Sequence, residues 1–416
     1  MVKSTGSMPE QGSSWEEVRE ALIDAGRNDV DWRDARTAVY VFNPGEDVMQ
    51  VAKDAYALYQ SENGLGPAAF PSIKSMEDDV VSMGLRLLNA PAEAVGNMTS
   101  GGTESIMLAV KACRDQAAAA GREVQGGRIV LPRSAHPAFD KAARYLGLEI
   151  VRVPLAKDYT ADAGAMEQAI DAKTLMMVGS APCFPYGVID PIAELGEVAE
   201  AHNVWLHVDA CVGGYFAPFA RMNGIELPEF DFGIPAVRSM SADLHKYGYA
   251  AKGASTVFHR SETQRDFQGF SFDDWPAGGM STPTFAGTRP GGAFASAWAV
   301  MHYLGIEGYR EKARLVTDTR IKLMRAIEDT PGLHNIGDPQ LGLFAYGADH
   351  ANIFAIWGAL KAKGWFTGVI TEPRGIQLML SPAHAAVADE YIEDLREALA
   401  AVSQSETKEA EAPSYN

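Results

Sequence analysis

The sequence predicts an α/β fold: a mainly parallel central sheet with helices on both faces, followed by a smaller C-terminal α+β lobe. Two patterns carry this. From about Gly102 to Leu304, short apolar runs alternate with amphipathic helical stretches, as expected for strands buried on both faces by crossover helices. After about Ile306, longer helices are separated by isolated strand-like runs. Length agrees, because 416 residues suffice for two or three domains and a large core.

The elements follow in chain order. Gly102 to Ala120 reads as a helix, with Ile106, Ala109, Val110 and Cys113 spaced by three or four. Arg128–Leu131 is a short strand, Pro137–Leu146 a helix and Glu149–Val153 the next strand. Thr174–Gly179 is the continuous apolar run TLMMVG, a strand with no wet face. Ala193–His202 is helical, Val204–Val208 a strand, and Ser239–Ala242 and Ser255–His259 are further strands. Gly291–Leu304 begins a long helical region. A helix over 308–329, a strand at Leu343–Tyr346, a helix over 351–363, a strand at Ile376–Leu380 and a helix over 384–402 complete the small lobe. This divides the chain into a large domain at 61–305, a small one at 306–402 and a polar tail at 403–416, expected to be disordered.

Lys plus Arg is 36 and Asp plus Glu 54, a formal charge of −18. That balance argues against a nucleic-acid or anionic-membrane binder, which carries a basic footprint, and leaves room only for a local basic pocket. Cys113, Cys183 and Cys211 are too scattered for a disulfide framework. There is no apolar stretch of ~20 residues and no signal-peptide pattern at the N-terminus, so a cytoplasmic protein without a membrane anchor is expected.

Several familiar sites are missing. There is no H-E-x-x-H, no zinc-spaced His/Cys cluster and no G-x-S-x-G, so no metal site is expected. Gly248–Gly253 resembles a P-loop frame, but Ala254 stands where lysine is needed. Gly64-x-Gly66-x-x-Ala69 matches a dinucleotide fingerprint in spacing only, since it follows no strand and opens no helix.

Four features combine into one site. Thr99-Ser100-Gly101-Gly102-Thr103-Glu104-Ser105 enters a helix, and Gly-rich backbone at a helix N-terminus offers free N–H groups to a phosphate; a plain N-cap would look similar. His136 follows a parallel strand, where ligands bind in open sheets, and could stack on a flat heteroaromatic ring or be structural. Asp209 ends the strand at Val204–Val208, where it could pair with a pyridinium nitrogen or cap a helix, and small Ala210 and Cys211 would let a ring lie close. Ser241-Ala242-Asp243-Leu244-His245-Lys246 offers a lysine for a Schiff base, or a surface lysine.

Together these motifs resemble the group II pyridoxal phosphate-dependent decarboxylase family of fold type I, and within it the sphingosine-1-phosphate lyase branch. NMTSGGTESIMLAVKACRD, SAHPAFDKAARYLG, PCFPYGVIDP, LHVDACVGGYFAPF, SMSADLHKYGYAAKG and the stretch Ser281–Gly292 carry the likeness, which runs from about Arg36 to Arg396. It implies that Lys246 bonds to pyridoxal 5'-phosphate, Asp209 pairs with its pyridine nitrogen and His136 stacks on its ring. Gly102, Thr103, Ser241 and His245 would hold the cofactor phosphate. The turn Gly287-Thr288-Arg289 would reach that phosphate from a neighbouring subunit, making a homodimer with shared sites the working unit, and residues 1–60 would pack across it.

The implied reaction is Cα–Cβ cleavage of a phosphorylated 2-amino-3-hydroxy compound to an aldehyde and phosphoethanolamine, with Lys246 as proton shuttle. Tyr40 and Lys252 match two of the branch's substrate-phosphate residues. Gly66 stands where a histidine of that set is usual, and Cys183 and Tyr186 replace a glutamine and a histidine. These departures leave room for a different head group. The alternative activity is amino-acid α-decarboxylation, which needs a carboxylate partner such as Arg374; a cofactor-binding protein without activity is the non-enzymatic alternative.

Overall fold

The computed structural model describes residues 6–404, so the expected tail beyond Gln404 lies outside the described residues. Seven strands form the large sheet in the order Val95–Thr99, Ser255–His259, Val237–Ala242, Trp205–Asp209, Thr174–Ser180, Arg128–Pro132, Glu149–Val153. The last five run parallel. Ser255–His259 is antiparallel to both neighbours and interrupts the otherwise parallel order.

Thr174–Ser180 and Trp205–Asp209 are buried along their whole length, as expected for central strands covered on both faces. Helix Gly102–Ala119 buries Ile106, Ala109, Val110 and Cys113, the predicted stripe. Because the central strands are parallel, Pro132, Ser180, Asp209 and Ala242 all end on one edge of the sheet. Ligands in open α/β sheets bind outside this carboxyl edge.

The second sheet has five strands, ordered Thr37–Ala38, Phe366–Thr371, Arg374–Met379, Leu343–Ala348, Leu333–Ile336. Its first member comes from the N-terminal region: Thr37 and Ala38 pair in parallel with Phe366 and Thr367. Helix Glu46–Leu58 packs along helix Gly291–Glu328 of the same chain. This part of residues 1–60, expected to pack across a dimer, closes an open edge of its own small lobe. Helix Trp15–Ala25, nearer the N-terminus, has no buried residue.

Helix Gly291–Glu328 joins what the sequence presents as two helices. Gly305 interrupts it with φ 53° and ψ −173°, a conformation in which a side chain would be strained. The helices Glu46–Leu58 and Pro71–Leu87 and the edge strand Val95–Thr99, none of them predicted, complete the frame around the site. No helix among the described residues is long and apolar enough to cross a membrane.

Candidate active site

A cleft of about 500 Å³ opens at the carboxyl edge of the large sheet. Tyr40, Gly102, Thr103, His136, Asp209, His245, Lys246 and Lys252 all line it, although they come from six separate stretches of chain. Met379 from the small lobe closes one side.

One end is built from the start of helix Gly102–Ala119. Gly101 is its N-cap and provides no side-chain cap, and the first-turn N–H groups have no partner within the helix. A Cβ on Gly102 would stand 2.7 Å from Cys211 Sγ and 2.9 Å from Asp243 Oδ2, so only glycine lets the helix begin this close to the strand ends. Glu104 braces the turn. Its Oε2 accepts from Ser100 N at 2.7 Å and Ser100 Oγ at 2.6 Å, and its Oε1 accepts from Phe285 N at 3.1 Å.

Asp209 is nearly buried, and its Oδ1 accepts from Cys211 N at 3.1 Å and Ser241 Oγ at 3.4 Å. Opposite lies His136. Its Nδ1 accepts the Ala138 N–H at 3.1 Å, which leaves the ring proton on Nε2 in the neutral form. Burial holds the imidazole below its usual pKa, and the nearby Lys246 charge adds to this against the pull of Asp209. The Phe184 ring stands edge-on to it at 6.4 Å.

Lys246 Nζ lies 3.0 Å from Asp243 Oδ2. Burial alone would lower its pKa, but Asp243 outweighs that and raises it. Asp243 is the site residue that motif reading passes over, although it sits three positions before the lysine. It is buried, and its Oδ1 has no hydrogen-bond partner.

Tyr40 and Lys252 meet at the mouth. Lys252 Nζ donates to Tyr40 O at 3.0 Å and to His245 O at 3.4 Å. Tyr40 has φ 63°, a left-handed conformation unusual for a tyrosine, and the lysine holds its carbonyl. The expected basic pocket is therefore mixed in charge. Lys246 and Lys252 share it with Glu104, Asp209 and Asp243, so anion binding must come from local N–H and lysine groups rather than from an overall field.

Some predicted residues lie elsewhere. Ser241 is fully buried behind Asp209, and the structure corrects its role from phosphate ligand to support of that carboxylate. Ala210 is also fully buried, and its N–H donates to Ser241 O at 2.9 Å, so it backs the cleft without lining it. Gly287 and Thr288 stand outside the cleft of their own chain, where Thr288 Oγ1 accepts from Asn63 Nδ2 at 3.2 Å. Gly66 also lies outside it. Arg374 is exposed and sits over the Phe354 ring at 5.6 Å, so it offers this cleft no carboxylate site. Tyr186, one of the departures, donates from its hydroxyl to Glu372 O at 2.5 Å and serves the joint between lobes.

The cleft fits pyridoxal phosphate on two structural grounds. Two buried polar atoms without partners, Asp243 Oδ1 and His245 Nδ1, leave hydrogen-bonding capacity unmet beside Lys246. The absence of a Cβ at Gly102 keeps the uncapped helix start open to a phosphate. Gly102, Thr103 and His245 could hold that phosphate, with His136 and Asp209 at the ring.

Comparison with known proteins agrees. Residues 5–348 match the family model described as the pyridoxal-dependent decarboxylase conserved domain. The chain is 39% identical to sphingosine-1-phosphate lyase 1 of Rattus norvegicus over 396 residues, covering 94% of this chain and 69% of the relative. It is 38% identical to the sphingosine-1-phosphate lyase of Oryza sativa over 378 residues, covering 89% of this chain and 70% of the relative. The solved structure of a Burkholderia pseudomallei sphingosine-1-phosphate lyase superposes with a TM-score of 0.91 at 34% identity, covering 95% of this chain and 92% of that one.

Proposed function

This chain belongs to the pyridoxal-dependent decarboxylase family, and on that premise we propose a carbon–carbon lyase of the sphingosine-1-phosphate lyase kind. Its reaction is cleavage of the Cα–Cβ bond of a phosphorylated 2-amino-3-hydroxy compound to an aldehyde and phosphoethanolamine. The observation that carries the reading is that one cleft holds Lys246, Asp209 and His136 together with Tyr40 and Lys252. The first three suit a pyridoxal enzyme of any specificity. The last two suit a second phosphate.

Pyridoxal phosphate, when bound, supplies an electron sink for the bond broken at Cα. The chain's residues do the rest. The N–H groups of Gly102 and Thr103 bind the cofactor phosphate, with the His245 imidazole beside them. Asp209 lines the cleft with Oδ1 occupied, which leaves Oδ2 as the acceptor for the ring nitrogen. His136 covers the ring face, shields it from water and carries a proton on Nε2. Lys252 and Tyr40 bind the substrate phosphate and thereby orient the Cα–Cβ bond. Lys246 Nζ, as the free amine, would take the proton of the substrate's 3-hydroxyl as the Cα–Cβ bond breaks and return it to the amine-bearing carbon once the aldehyde leaves.

The same reading includes a homodimer with shared sites. The Gly287–Thr288 turn does not line this cleft in its own chain, and helix Trp15–Ala25 exposes Trp15, Leu22 and Ile23. Both features suit a partner copy. The deciding experiment is a substrate panel of long-chain phosphorylated bases, short phosphorylated amino alcohols and free amino acids, with products identified by mass. An aldehyde with phosphoethanolamine is expected. Carbon dioxide from an amino acid, with no aldehyde from any phosphate, would replace this reading with α-decarboxylation.

A further inference from the structure

Behind Asp209 a line of polar side chains runs through the core of the large sheet. Trp205, His207 and Asp209 alternate along one strand and so share a face. Ser239 and Ser241 stand opposite on the next strand, in register with His207 and Asp209. His207, Ser239 and Ser241 have no exposure to solvent. Burying polar groups is costly unless all are satisfied, and the adjacent strand Thr174–Ser180 fills its core positions with Leu175, Met176, Met177 and Val178 instead.

One direction satisfies this whole line, and the Asp209 end sets it: Ser241 gives its one hydrogen to Asp209 Oδ1 and can then only accept from His207 Nε2. The Trp205 indole N–H can only donate, and it donates to Ser239 Oγ at 2.7 Å. Ser239 then has its own hydrogen for His207 Nδ1 at 2.8 Å. A neutral imidazole that accepts at Nδ1 carries its hydrogen on Nε2, which faces Ser241 Oγ at 3.3 Å. The Cys211 thiol also donates to Ser241 Oγ, at 3.3 Å. With both of its lone pairs engaged, Ser241 has its hydrogen left for Asp209 Oδ1 at 3.4 Å.

We propose that Ser239, His207 and Ser241 form a one-way hydrogen-bond chain, begun at the Trp205 indole and set in direction by the Ser241–Asp209 bond, that locks Asp209 with Oδ2 turned toward the cofactor ring. They are positioning residues for that contact, and the proposal rests on the reading of Asp209 as the ring-nitrogen partner. The uncharged imidazole is the working form. Burial holds the His207 pKa down to about 4, with His259 reinforcing and Asp209 opposing this. Besides those two groups, the Phe139 ring packs edge-on against it at 5.6 Å.

The test starts with the cofactor-free protein carrying nitrogen-15 histidine, the His207 signal being assigned by its loss in His207→Gln. The neutral Nε2–H tautomer is expected throughout pH 5.5–8; an Nδ1–H tautomer or a cation there would overturn the chain. Ser241→Ala, which cuts the link from Asp209 to Nε2, should give a tautomer mixture. Next comes the dissociation constant for pyridoxal phosphate itself. Ser241→Ala and His207→Phe should weaken it roughly tenfold or more, and His207→Gln, which keeps an acceptor and a donor, should return it to within about threefold. Unchanged affinity in both disrupting variants would also overturn the proposal. If His207→Phe does not fold, the tautomer and Ser241→Ala decide. Neither readout depends on which bond of the substrate is broken, so a wrong reaction assignment would leave both results standing.

Discussion

The Lys246 ammonium rests 3.0 Å from Asp243 Oδ2, and the Asp243 side chain is only 3% exposed. A lysine intended for covalent chemistry is thus stored as an ion pair. Burial would push the Asp243 carboxyl up, but the Lys246 and His245 charges hold it below its ordinary range. Asp243→Asn leaves Lys246 without a counter-charge. Removing one partner of a buried pair costs about 3–5 kcal/mol, and because the Lys246 side chain keeps 23% exposure we expect about 2 kcal/mol. The Lys246 pKa should fall as well, so that pyridoxal phosphate attaches faster at neutral pH. Urea unfolding of the cofactor-free variant and the rise of visible absorbance on adding cofactor check the two effects. Parental behaviour in both would discard the storage role.

Lys246→Ala should remove the visible band of the lysine-bound cofactor and all turnover. Gly102, Thr103, Asp209 and His136 remain, so the variant should still bind pyridoxal phosphate reversibly and lose it on dialysis. Lys246→Arg should not rescue, because a guanidinium cannot be deprotonated in a protein. A persistent band in either variant would move the covalent site to another residue.

Lys252 should act on substrate without acting on cofactor. A charge-assisted hydrogen bond is worth about 1.5–3 kcal/mol, so Lys252→Ala should raise KM for a phosphorylated substrate by one to two powers of ten. Cofactor affinity should not change. Burial of its stem, and then the Lys246 charge, lower the Lys252 pKa. Its charge is therefore lost at a lower pH than for a free lysine, and KM should begin to rise earlier on the alkaline side. Lys252→Arg should move that rise upward in pH. An alkaline limb that stays in place would assign it to another group.

Motif reading finds residues that the fold brings to one cleft, because Lys246, His136, Asp209 and Gly102 each sit in a distinctive local string. It misses residues whose role is set by distant partners. Glu77 reads as a surface charge in KSMEDDV, yet it is buried, pairs with Arg289 Nη1 at 2.7 Å and accepts from Met98 N at 3.0 Å. The family resemblance implies a phosphate role for Ser241, but strand alternation turns it behind Asp209. Thr37–Ala38 cannot be read at all, since a two-residue strand has no period and its partner lies more than 300 residues away. Thr174–Ser180 is legible because Leu175 to Val178 make it apolar on both faces.

Acid should destabilise the fold through its buried histidines. His207 and His259 are both pushed down by burial from 6.5 to about 4. Between those values the unfolded chain binds a proton that the folded chain refuses, so stability falls as pH drops through this window. Each histidine contributes about 3 kcal/mol at the bottom of it. Asp190 works the other way: burial raises it from 3.8 to about 7, so it binds a proton in the folded state first and favours folding as pH falls. A variant isolates one group, because the rest cancel. His259→Gln should close the stability gap to the parent by about 3 kcal/mol between pH 7 and pH 4. Chemical denaturation at both pH values measures it, and a gap independent of pH would show that His259 is not held neutral.

Gly66 tests the head group and the dimer together. A Cβ there would meet only Ala69 Cβ, at 3.8 Å, and the backbone is not in a left-handed region, so Gly66→His should fold and melt like the parent. Gly66 does not line the cleft of its own chain. A new imidazole can therefore aid substrate binding only if a second copy brings it to a neighbouring cleft. If the homodimer reading holds, KM for a phosphorylated substrate should fall roughly tenfold, within the range of one added charge-assisted contact. The gain should be larger below pH 6.5, where the imidazole is cationic. Subunits carrying both Gly66→His and Lys246→Ala, paired with parental subunits and purified as the hybrid, separate the two ideas. In that hybrid the one working cleft uses Lys246 of the parental subunit, and the new imidazole reaches it only across the interface. An improved KM is therefore expected in the hybrid as in the unmixed Gly66→His protein, and a parental KM in the hybrid alone would count against a shared site.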